Sequence, residues 1–439
     1  MAKNLLNRIL SRFVEIKPGE EVIASLLFLY FFLIMFPYYI IKPVRDAKYL
    51  IEESSLRLPF AYLATAIIMG FFVHIYSKLQ IKVHRRVLIT SSLIFFTVSC
   101  FFSGMFFIRD LAWMPLVFWV WANIFVVVLG TQFWILVNDI FNPREVKRLI
   151  GFFGSGGLLG GILGGMLTGL LAWEIPDYLL FIASGMLVLC VFVGNQIFIW
   201  QKKNKSITDN PDYGNKERAK EPSKVGFIDS FNTVRKDNYL KLLAGVVTLT
   251  FIVATFIDWQ FKTVIDVEVR MDRKMEYFGY IHAGLLVLPF LVQLFMTSNI
   301  IKRYGIRFAL LLLPFVLLLC SFGIGLWPIF YIALAIKASD KSISFSLNQS
   351  VRELLYIPVS PELKYKAKVF IDMFLNRFAK GIGALILILL VYVFVVPEEW
   401  VEEYIWKNKI NLISIVTVIF IGAWAFLSLR LSKEYTNTV

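Results

Sequence analysis

About twelve stretches of this 439-residue chain are long and apolar enough to cross a lipid bilayer, yet several carry Lys, Asp and Arg inside them. Charge within a bilayer is costly and must face an interior, so these positions are where function is sought. With 58% hydrophobic and 17% charged residues and a mean hydropathy of +0.70, a soluble domain is excluded. Alternating strand patterns are weak and apolar runs near 20 residues recur, so the spans read as helices and a β-barrel is excluded.

The apolar runs place spans at about 22–41, 58–77, 87–107, 114–137, 150–172, 178–200, 239–261, 278–299, 306–326, 328–350, 369–396 and 410–430. An even number puts both termini on one side. The loops on that side, from the N-terminal arm to the C-terminus, hold about 29 Lys and Arg, and the opposite loops about 11, so both termini are expected to be cytoplasmic in a multi-pass protein of the inner (plasma) membrane. The net charge of +14 is largely this bias, and nucleic-acid binding is not expected. The polar start Met1 to Glu21 shows no cleavable signal pattern, so the first span reads as a signal anchor. Cys100, Cys190 and Cys320 sit far apart inside apolar spans and read as small core residues. His74, His84 and His282 form no ligand cluster, and neither a metal nor a cofactor is expected.

The polar stretch Gln201 to Asn238 divides the chain into an N-terminal arm (1–21), a six-helix bundle (22–200), a cytoplasmic linker (201–238), a second six-helix bundle (239–431) and a short tail (432–439). Two six-helix bundles are the plan of the major facilitator superfamily, in which the solute sits between halves related as parallel repeats. Asn142-Pro143-Arg144-Glu145 after the fourth span is echoed by Ser360-Pro361-Glu362 after the tenth. In the fifth span Gly156, Gly160 and Gly164 run beside Gly157, Gly161, Gly165 and Gly169. This glycine face predicts close helix packing rather than a phosphate cradle.

Lys42, Arg45, Asp46 and Lys48 cluster where the first span is expected to leave the membrane, and Asp258 and Lys262 hold a similar place in the seventh. For each group snorkelling to the interface competes with function. Lys337, Asp340 and Lys341 fall mid-span, where each costs roughly 2.5–3.5 kcal/mol. Lys368, Asp372, Asn376 and Lys380 recur every four residues as a polar stripe in the eleventh span, read as the wall of a solute path.

These residues resemble a known family, the nucleotide transporters (ATP:ADP antiporters) of plastids and of intracellular bacteria such as rickettsiae and chlamydiae. Arg352-Glu353-Leu354-Leu355-Tyr356-Ile357-Pro358, Lys366-Ala367-Lys368 with Phe370-Ile371-Asp372, and Lys380-Gly381 follow the family's motifs in order and spacing. Val44-Arg45-Asp46-Ala47-Lys48, Arg144-Glu145-Val146-Lys147-Arg148 and Asp258-Trp259-Gln260-Phe261-Lys262 resemble three further segments. The resemblance implies exchange of ATP and ADP by alternating access without hydrolysis, and by motif match Lys48, Glu145, Asp258 and Lys380 would be the charges that matter. Arg45, Lys262, Lys337, Asp372 and Arg352 complete the candidate binding set, with Trp259, Phe261, Tyr38 and Tyr39 as candidate shelves for a base. Asp258 stands where the family has Glu and Arg352 where it has Lys, departures that bear on the substrate.

The other readings are a carrier of another organic anion or phosphorylated metabolite, for which proton coupling would run through Asp372 or Asp258, and a non-transporting scaffold or partner subunit. No paired nucleophile and base emerges, so an enzyme is not expected. The expected partners are the lipid bilayer and ATP/ADP or a related anion. The oligomeric state is not legible.

Overall fold

The computed structural model describes residues 20–109, 111–203, 227–292, 298–356, 358–360, 363, 367–368, 370–371, 375–392 and 402–438. Apolar sequence drives nearly all of them into helix, and among the described residues there is no strand. In chain order the helices are α1 (Glu21–Glu52), α2 (Leu58–Lys82), α3 (Arg85–Ile108), α4 (Met114–Ile140), α5 (Pro143–Leu171), α6 (Leu179–Lys203) and α7 (Phe227–Lys236). They continue as α8 (Asn238–Glu268), α9 (Lys274–Val292), α10 (Ser298–Leu326), α11 (Phe330–Ile343), α12 (Gln349–Leu355), α13 (Asn376–Tyr392) and α14 (Glu402–Thr438).

Among the described residues nine helical stretches are long and apolar enough to span a membrane. The other three expected spans fall on α9, on α11 with α12, and on α13, where parts of 278–299 and 369–396 lie outside the described residues. Residues 204–226 of the expected linker and most of the N-terminal arm also lie outside them.

The chain gathers into two compact units. The first comprises residues 1–52, 71–221 and 272–286, and the second comprises 53–70, 222–271 and 287–439. In the first, α1 packs against α5, α6 and α4. The closeness of α1 and α5 follows from glycine. A Cβ at Gly156 or Gly160 would lie 2.6 or 2.5 Å from the carbonyl oxygen of Phe28 or Phe32, so only hydrogen fits there. The neighbouring row meets other partners, with Gly161 against Tyr39 and Gly165 against the Gly279 backbone of α9. In the second unit α8 is the hub, packing against α14, α13 and α11.

Two local departures from helix matter. Gly305 takes φ +76°, a left-handed conformation that glycine tolerates, and kinks the start of α10. After α11 the backbone widens into a π-helix over Ser344–Asn348 before α12, a feature that recurs at functional sites.

The first span ends later than its hydropathy predicts. α1 continues unbroken to Glu52, so Arg45 and Asp46 lie within the helix rather than at its end. They are 6% and 0% exposed, and snorkelling is therefore corrected for these two: they are buried and paired.

Candidate functional site

The second unit concentrates charge on α8 and α11. The i,i+4 spacing on α8 brings Lys262 to Asp258, Nζ to Oδ2 at 2.8 Å. Lys337 of α11 donates to the other carboxylate oxygen, Oδ1, at 2.5 Å. Tyr62 of α2 donates its hydroxyl to Oδ2 at 2.7 Å. Lys262 and Lys337 are 3% and 5% exposed, so two buried ammonium groups share the Asp258 carboxylate. Asp340 is also buried and accepts from Ser344 Oγ at 3.3 Å. Lys341 and Lys380 lie within electrostatic reach of Asp258, Lys337 and Asp340. Among the described residues four lysines thus gather near Asp258 and Asp340. Lys380 is itself exposed, and its ammonium sits 5.6 Å from the centre of the Phe251 ring. Arg352 approaches the same ring at 6.0 Å, so two residues of separate motifs converge on one α8 side chain. Asp372 lies outside the described residues.

Such a site suits a polyanion. Acid and lysines hold one another while no solute is bound, sparing an unpaired buried charge. A phosphate chain offers the lysines a competing set of oxygens, and compact ammonium groups on flexible stems are able to turn from one partner to the other.

The candidates of the first unit are placed differently. Lys48 lies 3.8 Å from Asp177 and over the Phe107 ring, and Arg45 is clamped to Asp46. Glu145 forms a capping box at the start of α5: its Oε2 accepts from the Asn142 amide at 3.0 Å while the Asn142 side chain accepts from the amides of Arg144 and Glu145. Before α9, Arg273 lies 3.8 Å over the Trp173 ring, and Glu276 accepting from it raises its guanidinium above the ordinary value.

Residues 105–435 match the family model for the TLC ATP/ADP transporter. The chain belongs to the TLC ATP/ADP transporter family. It is 26% identical over 309 residues to ADP,ATP carrier protein 1 of Chlamydia pneumoniae, a match covering 62% of this chain and 60% of that carrier. It is 24% identical over 428 residues to ADP,ATP carrier protein 1 of Chlamydia trachomatis, covering 82% and 80%. The fold is that of major-facilitator-type transporters. It resembles the crystal structure of the nucleoside transporter NupG at a TM-score of 0.64 and 13% identity, covering 94% of this chain and 98% of that one. A bacterial homolog of the human lysosomal transporter Spinster gives 0.61 at 14%, covering 96% and 99%.

Within this member of the TLC family the motif segments are tied together by side chains. Lys368 donates to Glu353 at 2.6 Å and lies over the Tyr356 ring, joining two motif segments. The aromatic shelves separate into two kinds. Trp259 and Phe261 are fully buried, and the Trp259 indole donates to the Ser55 carbonyl at 3.0 Å, so neither offers a face to a base. Tyr38 and Tyr39 keep partial exposure. Sequence reasoning missed Tyr62, whose own surroundings in the chain carry no signal, and His282, which contacts Asp46 in the first unit. A titratable residue inside an apolar run was the available signal for His282.

Proposed function

We propose that this TLC-family membrane protein exchanges ATP for ADP by alternating access, and that Lys262, Lys337 and Lys380 hold the phosphate chain while Asp258 serves as their counter-ion. The observation that carries this reading is the sharing of one carboxylate by two buried lysines, with further lysines in reach. A nucleotide's phosphate chain offers these lysines further oxygens to turn to. The wider proposal assigns Lys48, Arg45, Glu145, Asp372 and Arg352 to the same cycle. It keeps the two six-helix bundles at 22–200 and 239–431 joined by a cytoplasmic linker at 201–238, and puts both termini on the cytoplasmic side of the inner membrane.

The test is uptake of labelled ATP by proteoliposomes loaded with ADP, compared with empty proteoliposomes and with Lys380→Ala. Uptake that requires internal ADP and collapses in the variant supports the reading. Properly folded protein that takes up no ATP overturns the nucleotide assignment and leaves the fold, pointing to another anion or to a scaffold.

A further inference from the structure

α3 and α6 pack antiparallel in the first unit and are tied at both ends of a shared groove. At one end Arg86 donates to the Asn195 side-chain oxygen at 2.9 Å. At the other Ser184 donates to the Thr97 carbonyl at 3.1 Å, and Cys100 Sγ lies 3.5 Å from the Leu180 carbonyl. Between these ties the two surfaces leave a groove of about 440 Å³, lined by Thr90, Ile94 and Val98 of α3 and by Val188, Phe192 and Asn195 of α6. The helices bury a different side, with Leu93 and Phe96 on α3 and Leu187 and Cys190 on α6, whereas Ile94, Val98, Val188 and Phe192 are between 48% and 63% exposed. On membrane-spanning helices such an apolar surface suits acyl chains.

Charge marks one mouth of the groove. Arg86 stands four residues before Thr90 and Lys202 seven after Asn195, so each lining stripe runs into a cation on its own helix face. Arg85 and Lys203 stand beside them, and neither helix carries an acidic residue. Arg85 is paired with Asp139 of α4, whereas Arg86, Lys202 and Lys203 belong to the exposed surface. A guanidinium offers a planar fork of N–H donors that fits phosphate oxygens, and the Asn195 contact engages only part of it. From Thr90 to Val98 the helix rises about 12 Å, within the depth of about 15 Å of one leaflet.

We propose that the α3–α6 groove binds one anionic phospholipid, its acyl chain along Ile94, Val98, Val188 and Phe192 and its phosphate at Arg86 and Lys202. The match is one of shape and charge: a ligand apolar along its length and negative at one end meets a groove apolar along its length and positive at one end. A zwitterionic lipid would bring its own cation to that mouth. A second copy of this chain, seated on this face about an axis along the membrane normal, would bring the same basic residues to it, and like charges oppose that contact. The site is independent of what the protein carries.

The experiment is native mass spectrometry of delipidated protein in neutral detergent, titrated with phosphatidylglycerol or with phosphatidylcholine bearing the same chains. Wild-type protein is expected to retain one phosphatidylglycerol at least about tenfold more tightly than phosphatidylcholine. Arg86→Gln combined with Lys202→Gln is expected to erase that preference at an unchanged unfolding midpoint, because both side chains are exposed. Val191→Trp fills the groove and keeps the cations, and is expected to weaken retention of both lipids. Phosphatidylglycerol with a photoreactive acyl chain is expected to crosslink within residues 90–98 or 188–195 of the wild type. Equal retention of the two lipids by the wild type, an unchanged preference in the double variant, or crosslinks confined to other segments overturns the proposal. A dimer that Val191→Trp dissociates would assign the groove to a second copy, and overturns it as well.

Discussion

Lys337 and Asp258, 79 residues apart in the chain, meet at 2.5 Å, and the same carboxylate holds Lys262 at 2.8 Å. One carboxylate thereby ties two buried ammonium groups together.

Asp258→Asn removes the charge that Lys262 and Lys337 share, a change worth about 3–5 kcal/mol when such a buried pair is broken. The expected outcome is a lower unfolding midpoint that added ATP partly restores, together with exchange reduced at least about tenfold, the effect of 1.4 kcal/mol at one step. Thermal unfolding with and without ATP, alongside proteoliposome uptake, checks both. Wild-type stability and exchange in this variant would remove Asp258 from the site.

Tyr62→Phe deletes the hydroxyl that donates to Asp258 Oδ2 and keeps the ring. A hydrogen bond to a charged group contributes about 1.5–3 kcal/mol. Because Asp258 is partly exposed, the lower end is expected, about 1.5 kcal/mol, with both lysine contacts retained. Chemical denaturation measures the loss. An unchanged midpoint would show that water replaces the hydroxyl at no cost.

Apolar run length made the helices legible, and the i,i+4 spacing made the Asp258–Lys262 pair legible. What escaped was tertiary. Nothing local says that Lys337 and Tyr62 reach the same carboxylate, because helix packing brings them there. The end of the first span was misplaced for a related reason. Lys42, Arg45, Asp46 and Lys48 depress hydropathy, yet α1 runs through them because Asp46 satisfies Arg45 and meets His282 on another helix. Trp259 was a plausible shelf by residue type alone, and only its burial and its bond to Ser55 showed it to be core.

Glu145 has two separable roles. Glutamine at the third position of a capping box preserves the reciprocal hydrogen bonds and deletes the charge, whereas alanine deletes both. Glu145→Ala is expected to destabilise the start of α5 by about 1 kcal/mol, and Glu145→Gln to leave stability unchanged. Exchange is expected to fall in the glutamine variant as well, since the proposal assigns the charge to the transport cycle. Wild-type exchange by Glu145→Gln would reduce the residue to a cap, the role its contact with Asn142 already gives it.

The glycine face of α5 supplies a test in which size alone decides the sign. At Gly154 an added methyl meets nothing within 4 Å, so Gly154→Ala is expected to stabilise by up to about 1 kcal/mol through helix propensity. At Gly160 the same methyl would stand 2.5 Å from the Phe32 carbonyl oxygen, and backbone on α1 does not swing aside as a side chain does. Gly160→Ala is therefore expected to lose about 1–3 kcal/mol to overpacking, against the propensity gain. The two variants share one helix, one chemistry and one gained methyl, so propensity and membrane insertion affect them alike. Opposite shifts in the unfolding midpoint assign the difference to the α1–α5 contact, and shifts of the same sign would show that this contact yields.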